Sequence, residues 1–215
     1  VLAGKKKLPD ALWALRLALG STEFGAFIER QLDDGVEGTL PPLALALGKL
    51  APGLRGVLTT NLDLLVERAF GGAWPALARP TADVAQRRRF ILKLHGTLAD
   101  RSTWVLTREE HDQALHHDPR LQQALGALFN SCHLLFVGDD LDGEDFDELL
   151  ARVSALAGPQ PPRHFALVPS GALGNYQKQR LEEAGVRLVM YDEGAGEAGG
   201  PVALLETLAA SLGPA

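Results

Sequence analysis

Apolar side chains recur along this chain in two rhythms, and their alternation predicts the architecture. Leu8, Leu12, Leu15 and Leu19 sit at helical spacing behind the start signals Pro9 and Asp10, which predicts an amphipathic helix over residues 8–19. A second helix is expected over 21–32. A third is expected over 41–50, entered through Pro41 and Pro42 and stopped by Pro52-Gly53. Short unbroken apolar runs then take over. Residues 55–58 read as the first strand and 62–70 as the helix it leads into, closed by Gly71-Gly72. After an irregular stretch holding Pro75 and Pro80, a strand is expected over 90–94. A short strand at Trp104-Val105-Leu106 comes next, then a helix whose cap is Thr107 with Glu110 three positions on. The pattern continues with a helix over 119–130, an apolar strand over 134–137 suited to a sheet centre, and a helix over 145–157. Strands over 164–168 and 186–191 flank a helix over 175–184 that Gly185 stops, and a Gly- and Glu-rich connector over 193–200 leads to a closing helix over 202–212. Strands alternating with helices predict an α/β fold, a doubly wound and mostly parallel sheet with helices on both faces.

Composition narrows this picture. A chain of 215 residues with 46% hydrophobic content can bury a full core, and it is read as one domain over 1–215. Its start inside an apparent first strand points to a missing upstream segment or a larger parent chain. A net charge of −6 argues against general attraction to nucleic acid or anionic membrane. Lys5-Lys6-Lys7 and Arg87-Arg88-Arg89 then read as solvated loops. Cys132 is the only cysteine, so neither an internal disulfide nor a cysteine-rich zinc site can form, which suits a reducing cytoplasm. It is expected to be a buried structural thiol. No apolar stretch is long enough to span a bilayer, since residues 40–50 are short and interrupted.

Two polar clusters leave the C-terminal ends of apolar strands, where open α/β sheets form their ligand crevice. Thr59-Thr60-Asn61-Leu62-Asp63 follows the first, and Lys93-Leu94-His95-Gly96 follows the second. An amide, a carboxylate and an imidazole are thereby expected in one cleft. Each also has a plain structural reading: Asn61 as a turn residue, Asp63 as a helix N-cap, His95 as a packed residue before a glycine turn. His111, His116 and His117 lie on one helix or its end and form no ligand set, and His133 and His164 are read as edge residues.

In order, these blocks resemble the sirtuin-like superfamily, and within it the bacterial NAD-consuming branch of antiviral defence. Thr59-Thr60-Asn61-Leu62-Asp63 resembles the branch's Thr-Thr-Asn-x-Asp loop and Lys93-Leu94-His95-Gly96 its Lys-Leu-His-Gly turn. Thr107-Arg108-Glu109-Glu110-His111 is similar to its Thr-x-Glu-Asp-Tyr helix start, with His111 for tyrosine. The strand ending Gly138-Asp139-Asp140-Leu141 is similar to its Gly-Tyr-Ser-Leu. The resemblance covers roughly 54–150, with weaker continuity to 191. It implies a Rossmann-like sheet and NAD as the substrate, cleaved between nicotinamide and ribose to give ADP-ribose. Lack of the deacylases' four-cysteine zinc module fits the hydrolase branch, and no metal is expected. By the resemblance, His95 is the general base, with a pKa near neutrality, and Asn61 orients ribose and water. Asp63 would accept from the nicotinamide carboxamide, while Gly4, Thr59, Thr60, Gly96, Gly138 and Asp140 would line the NAD site. A homo-oligomer or larger assembly is expected, with no nucleic-acid or membrane partner.

The pattern breaks twice. After Val1-Leu2-Ala3-Gly4 the family's glycine-rich loop is replaced by Lys5-Lys6-Lys7, and Asp140 stands where the family has a hydroxyl. Asp140, Asp142 and Asp145 around Gly143 read either as a cation loop or as an acidic first turn of the following helix, the second being preferred. A catalytically inactive sirtuin-like scaffold, with residues 12–19 and 40–50 as packing surfaces, and a nucleotide sensor are therefore the alternatives.

Overall fold

The computed structural model describes residues 8–32, 38–81, 83–116, 118–138, 162–192 and 200–212. The chain forms two compact units, Val1–Gln122 and Gln123–Ala215. Both are α/β, with parallel strands flanked by helices in the Rossmann-like manner.

The first unit opens with α1, Leu8–Leu32, which is two helical segments joined at Gly20. Gly20 has φ 77° and ψ 160°, a conformation that only glycine adopts cheaply, so the break between the two expected helices falls where glycine permits it. Leu12, Leu15 and Leu19 pack against a core of Phe24, Ile28, Leu62, Trp104 and Leu106. Leu8, expected on the same stripe, is 70% exposed instead. Then come α2, Pro42–Lys49, and α3, Leu65–Ala69. A Cβ at Gly48 would lie 2.4 Å from the Ala69 carbonyl oxygen, so glycine is what lets these two helices approach.

Three strands make the first sheet: β1, Val57–Thr59; β2, Ala76–Leu77; and β3, Ile91–Lys93. Their order is β1-β3-β2 and every pairing is parallel, with Val57 opposite Ile91 and Thr59 opposite Lys93. All three residues of β3 are buried, as a central strand requires. β2 lies in the stretch expected to be irregular. It is only two residues long beside Pro75, whose carbonyl still accepts from Ile91 N at 3.0 Å. Trp104-Val105-Leu106, conversely, is not a strand. Its polar groups are used by the neighbouring turn: Trp104 Nε1 donates to Thr97 O at 2.7 Å and Val105 N to His95 O at 3.0 Å.

The division between units falls within α5, Pro119–Ser131. In the second unit β4, Leu135–Phe136, β5, His164–Pro169, and β6, Val186–Tyr191, form a parallel sheet in that order. β4 is half-buried and, among the described residues, stands at the end of this order, where its apolar run predicted a central strand. α6, Asn175–Glu183, connects β5 to β6, and α7, Pro201–Ser211, closes the described fold. Ala166, Val168, Leu173, Leu181 and Val186 make this unit's core. The helix expected over 145–157 lies outside the described residues. Among the described residues no helix is long and apolar enough to cross a membrane.

Candidate functional site

β1 and β3 run parallel and in register, so the segments that follow them emerge side by side at one sheet edge. The chain secures that arrangement with three tethers. Leu94 N donates to Thr59 O at 2.8 Å, and Leu98 N donates to Leu62 O at 2.8 Å. The third is a side chain: Lys93 Nζ donates to the Asp63 carbonyl oxygen and pairs with Glu67 Oε1 at 2.8 Å. Lys93 is only 1% exposed. The Thr59–Asp63 and Lys93–Gly96 motifs are thus one joined structure, built on two strands and the start of α3.

Within the first motif Thr59 is half-buried and its Oγ1 accepts from Asn61 N at 3.1 Å, so a local turn presents Asn61 at the surface. Thr60 is exposed beside it. Asp63 Oδ1 accepts from Leu65 N at 3.0 Å. That bond is an Asx turn leading into α3, so the plain structural reading of Asp63 is realised, on one of its oxygens.

In the second motif His95 is half-buried and stacks obliquely on His111, with ring centroids 4.4 Å apart and planes at 56°. Burial, and then the nearby His111, push the His95 imidazole down to about 4. This corrects the expectation of a near-neutral pKa: loss of water around the ring disfavours the cation, and His95 is uncharged at pH 7. Gly96 has φ +87°, and a Cβ there would lie 2.1 Å from the Thr103 carbonyl oxygen, so no other residue fits the turn.

His111 reaches His95 because its helix is anchored. α4, Arg108–His111, begins with a capping box in which Thr107 and Glu110 satisfy each other's backbone groups. Glu110 Oε2 accepts from Leu106 N at 2.9 Å and Thr107 N at 3.0 Å, while Oε1 accepts from Arg16 Nη1 of α1 at 2.6 Å. Burial alone would raise the Glu110 carboxyl, but Arg16 and these amides outweigh it and hold it below the usual range. The helix continues as a π-turn over Asp112–His116, a geometry common beside functional sites. An open groove of about 450 Å³ lined by Asp10, Trp13, Arg108, Glu109, Asp112 and Gln113 includes Glu109 and Gln113, which helical periodicity sets opposite His111.

Three participants were missed by sequence reasoning. Lys93 entered only as the first residue of its motif, and Glu67 was not singled out, although it stands four residues after Asp63. His111 was grouped with adjacent histidines, although its place in the Thr-x-Glu-Asp-Tyr block was a signal. Gly138 is exposed after β4 in the second unit, with φ +123°. Gly4 and Asp140, with the acidic run around Gly143, lie outside the described residues. His164 is no edge residue: it is 3% exposed on the middle strand β5, where its Nδ1 accepts from Leu134 N at 3.3 Å. Cys132 is half-buried, with Sγ 3.6 Å from Ser131 Oγ, more open than a core thiol. Among the described residues no three His, Cys, Asp or Glu side chains are grouped to hold a metal ion.

Comparison with known proteins adds a family match and one relative. The model of the SIR2-like domain matches residues 55–189, a span that holds both motifs, α4, β1 to β5 and β6 as far as Val189. The chain is also 24% identical over 131 residues to the NAD(+) hydrolase ThsA of Cytobacillus dafuensis. That alignment takes in 58% of this chain but 26% of the relative, so the chain spans about a quarter of that protein's length.

Proposed function

This chain belongs to the SIR2-like domain family, and from that premise we propose that it is an NAD glycohydrolase, adding water across the nicotinamide–ribose bond to release nicotinamide, ADP-ribose and a proton. The observation that carries this reading is the joining of the Asn61 loop to the His95 turn by three tethers at one sheet edge. Similarity to an NAD(+) hydrolase supports NAD as the substrate.

Bond cleavage builds positive charge on the ribose, so the site must hold the sugar and supply an oxygen nucleophile. Asn61, exposed on its turn, both donates and accepts toward ribose hydroxyls and a water. His95 is neutral at pH 7 and so has a lone pair ready for the proton that water loses. An imidazole held this low is a weak base on its own. The NAD diphosphate brings negative charge that strengthens it when substrate binds. Thr59, Thr60 and Gly96 shape the same edge, and Asp63 keeps one oxygen for the carboxamide amine. By the motif resemblance alone, Gly4, Gly138 and Asp140 are further residues expected to contact NAD.

The family span crosses the division between the two units, which supports treating the chain as one sirtuin-like domain. A role in bacterial antiviral defence within an oligomer or larger assembly belongs to this reading by the motif resemblance, and a cytoplasmic setting without nucleic acid by the lone cysteine and the net charge of −6. A scaffold without activity is the second reading, favoured by Trp13 and Leu17, which are 51% and 65% exposed on α1. Nicotinamide release from NAD by the purified protein tests the choice. His95→Ala and Asn61→Ala are each expected to lower kcat by about 100-fold or more. Turnover that survives both changes would refute the assignment, and self-association with neither binding nor turnover would favour the scaffold.

A further inference from the structure

We propose that Lys93 and Glu67 are positioning residues whose buried ion pair fixes the Asn61–Asp63 loop against the His95 turn. The proposal rests on the glycohydrolase reading for what the loop holds. Its geometry stands apart from that reading. Lys93 ends β3 two residues before His95, and Glu67 lies on α3 four residues after Asp63. Between them Nζ reaches the Asp63 carbonyl, so one ammonium joins the strand bearing the base, the loop bearing the amide and the helix that follows.

This pair is a poor device for stability alone. Lys93 is fully buried, Glu67 is 15% exposed, and Glu67 Oε2 is buried without a hydrogen-bond partner. Desolvating two charges and leaving an acceptor unused costs more than packing apolar side chains of similar size, which commonly hold a core as well or better. What apolar side chains cannot do is grip a carbonyl at a defined place. The backbone tethers at Thr59 and Leu62 fix the ends of the loop segment, and Lys93 fixes Asp63 beside them.

The test replaces the pair by apolar residues of similar volume, Lys93→Met with Glu67→Leu, and compares thermal unfolding, amide exchange and NAD kinetics with the unmodified chain. We expect melting within a few degrees of the original and at least about tenfold faster exchange at the Asn61, Leu65, Leu94 and Leu98 amides, whose hydrogen bonds hold the joined segments. We also expect kcat about 100-fold lower, since small misplacements of positioned groups cost that much. Unchanged exchange and unchanged kcat in the folded double variant would show that the pair merely fills space and would overturn the proposal. Should the double variant not fold, Glu67→Gln keeps the shape and an acceptor for Nζ, and faster or unchanged loop exchange decides in the same way. Exchange needs no NAD. If the unmodified chain neither binds nor cleaves NAD, the glycohydrolase reading fails while the exchange result still judges the clamp.

Discussion

At the scale of single residues, His95 shows how position overrides an intrinsic property. An imidazole in water titrates near neutrality, yet here burial first and His111 second depress it to about 4. His111→Phe keeps an aromatic ring in contact and removes the neighbouring imidazole. The His95 midpoint, followed by NMR of its ring protons, is expected to rise while staying below 6.5, because burial is the larger cause. A midpoint at or above 6.5 would contradict that ordering. Neither the burial nor the contact was legible locally. His95 and His111 are far apart in sequence, and only the return of α4 onto the β3 turn brings their rings to 4.4 Å. Lys93 teaches the same lesson, since nothing in a Lys-Leu-His-Gly string distinguishes a buried lysine from one that snorkels to water.

At the scale of elements, local signals worked where they specify a local geometry. Thr107 with Glu110 marked the start of α4, and the capping box is present. The boundary expected between the helices over 8–19 and 21–32 falls at Gly20, where α1 breaks. Thr107→Ala is expected to cost about 1 kcal/mol in unfolding free energy. Glu110→Ala should cost more, because it also removes the acceptor for Leu106 N and the partner of Arg16. Denaturant titration of both variants checks the order, and equal losses would mean that the Arg16 contact contributes nothing. Local reading failed where two or three residues are decided by their neighbours. Ala76-Leu77 becomes a strand because β3 offers it a partner, and Trp104-Val105-Leu106 does not because the His95 and Thr97 carbonyls take its donors.

At the scale of the whole molecule, each unit holds a histidine whose charged form the fold disfavours: half-buried His95 in the first, and buried His164 in the second, lowered by burial and then by His133. Between the folded and unfolded pKa values the unfolded chain binds more protons, so stability rises with pH. For His95 the contribution is therefore held above pH 6.5 and lost as the pH falls from there through about 4, on the order of 3 kcal/mol. Unfolding free energy measured at intervals from pH 7 to 4 should fall accordingly. His95→Gln should flatten the decline, and a slope unchanged by it would exclude His95 as the source.

The sequence by itself determined the class of fold, most helices, most of the parallel strands and the two motifs, because hydrophobic period, caps and glycine turns act over a few neighbouring residues. Tertiary structure decided which polar groups those elements bring together: Lys93 to Asp63 and Glu67, His111 to His95, Arg16 to Glu110. It also decided the charge state of the imidazole. Burial and contact are sums over distant segments, and they exist only once the chain has closed on itself.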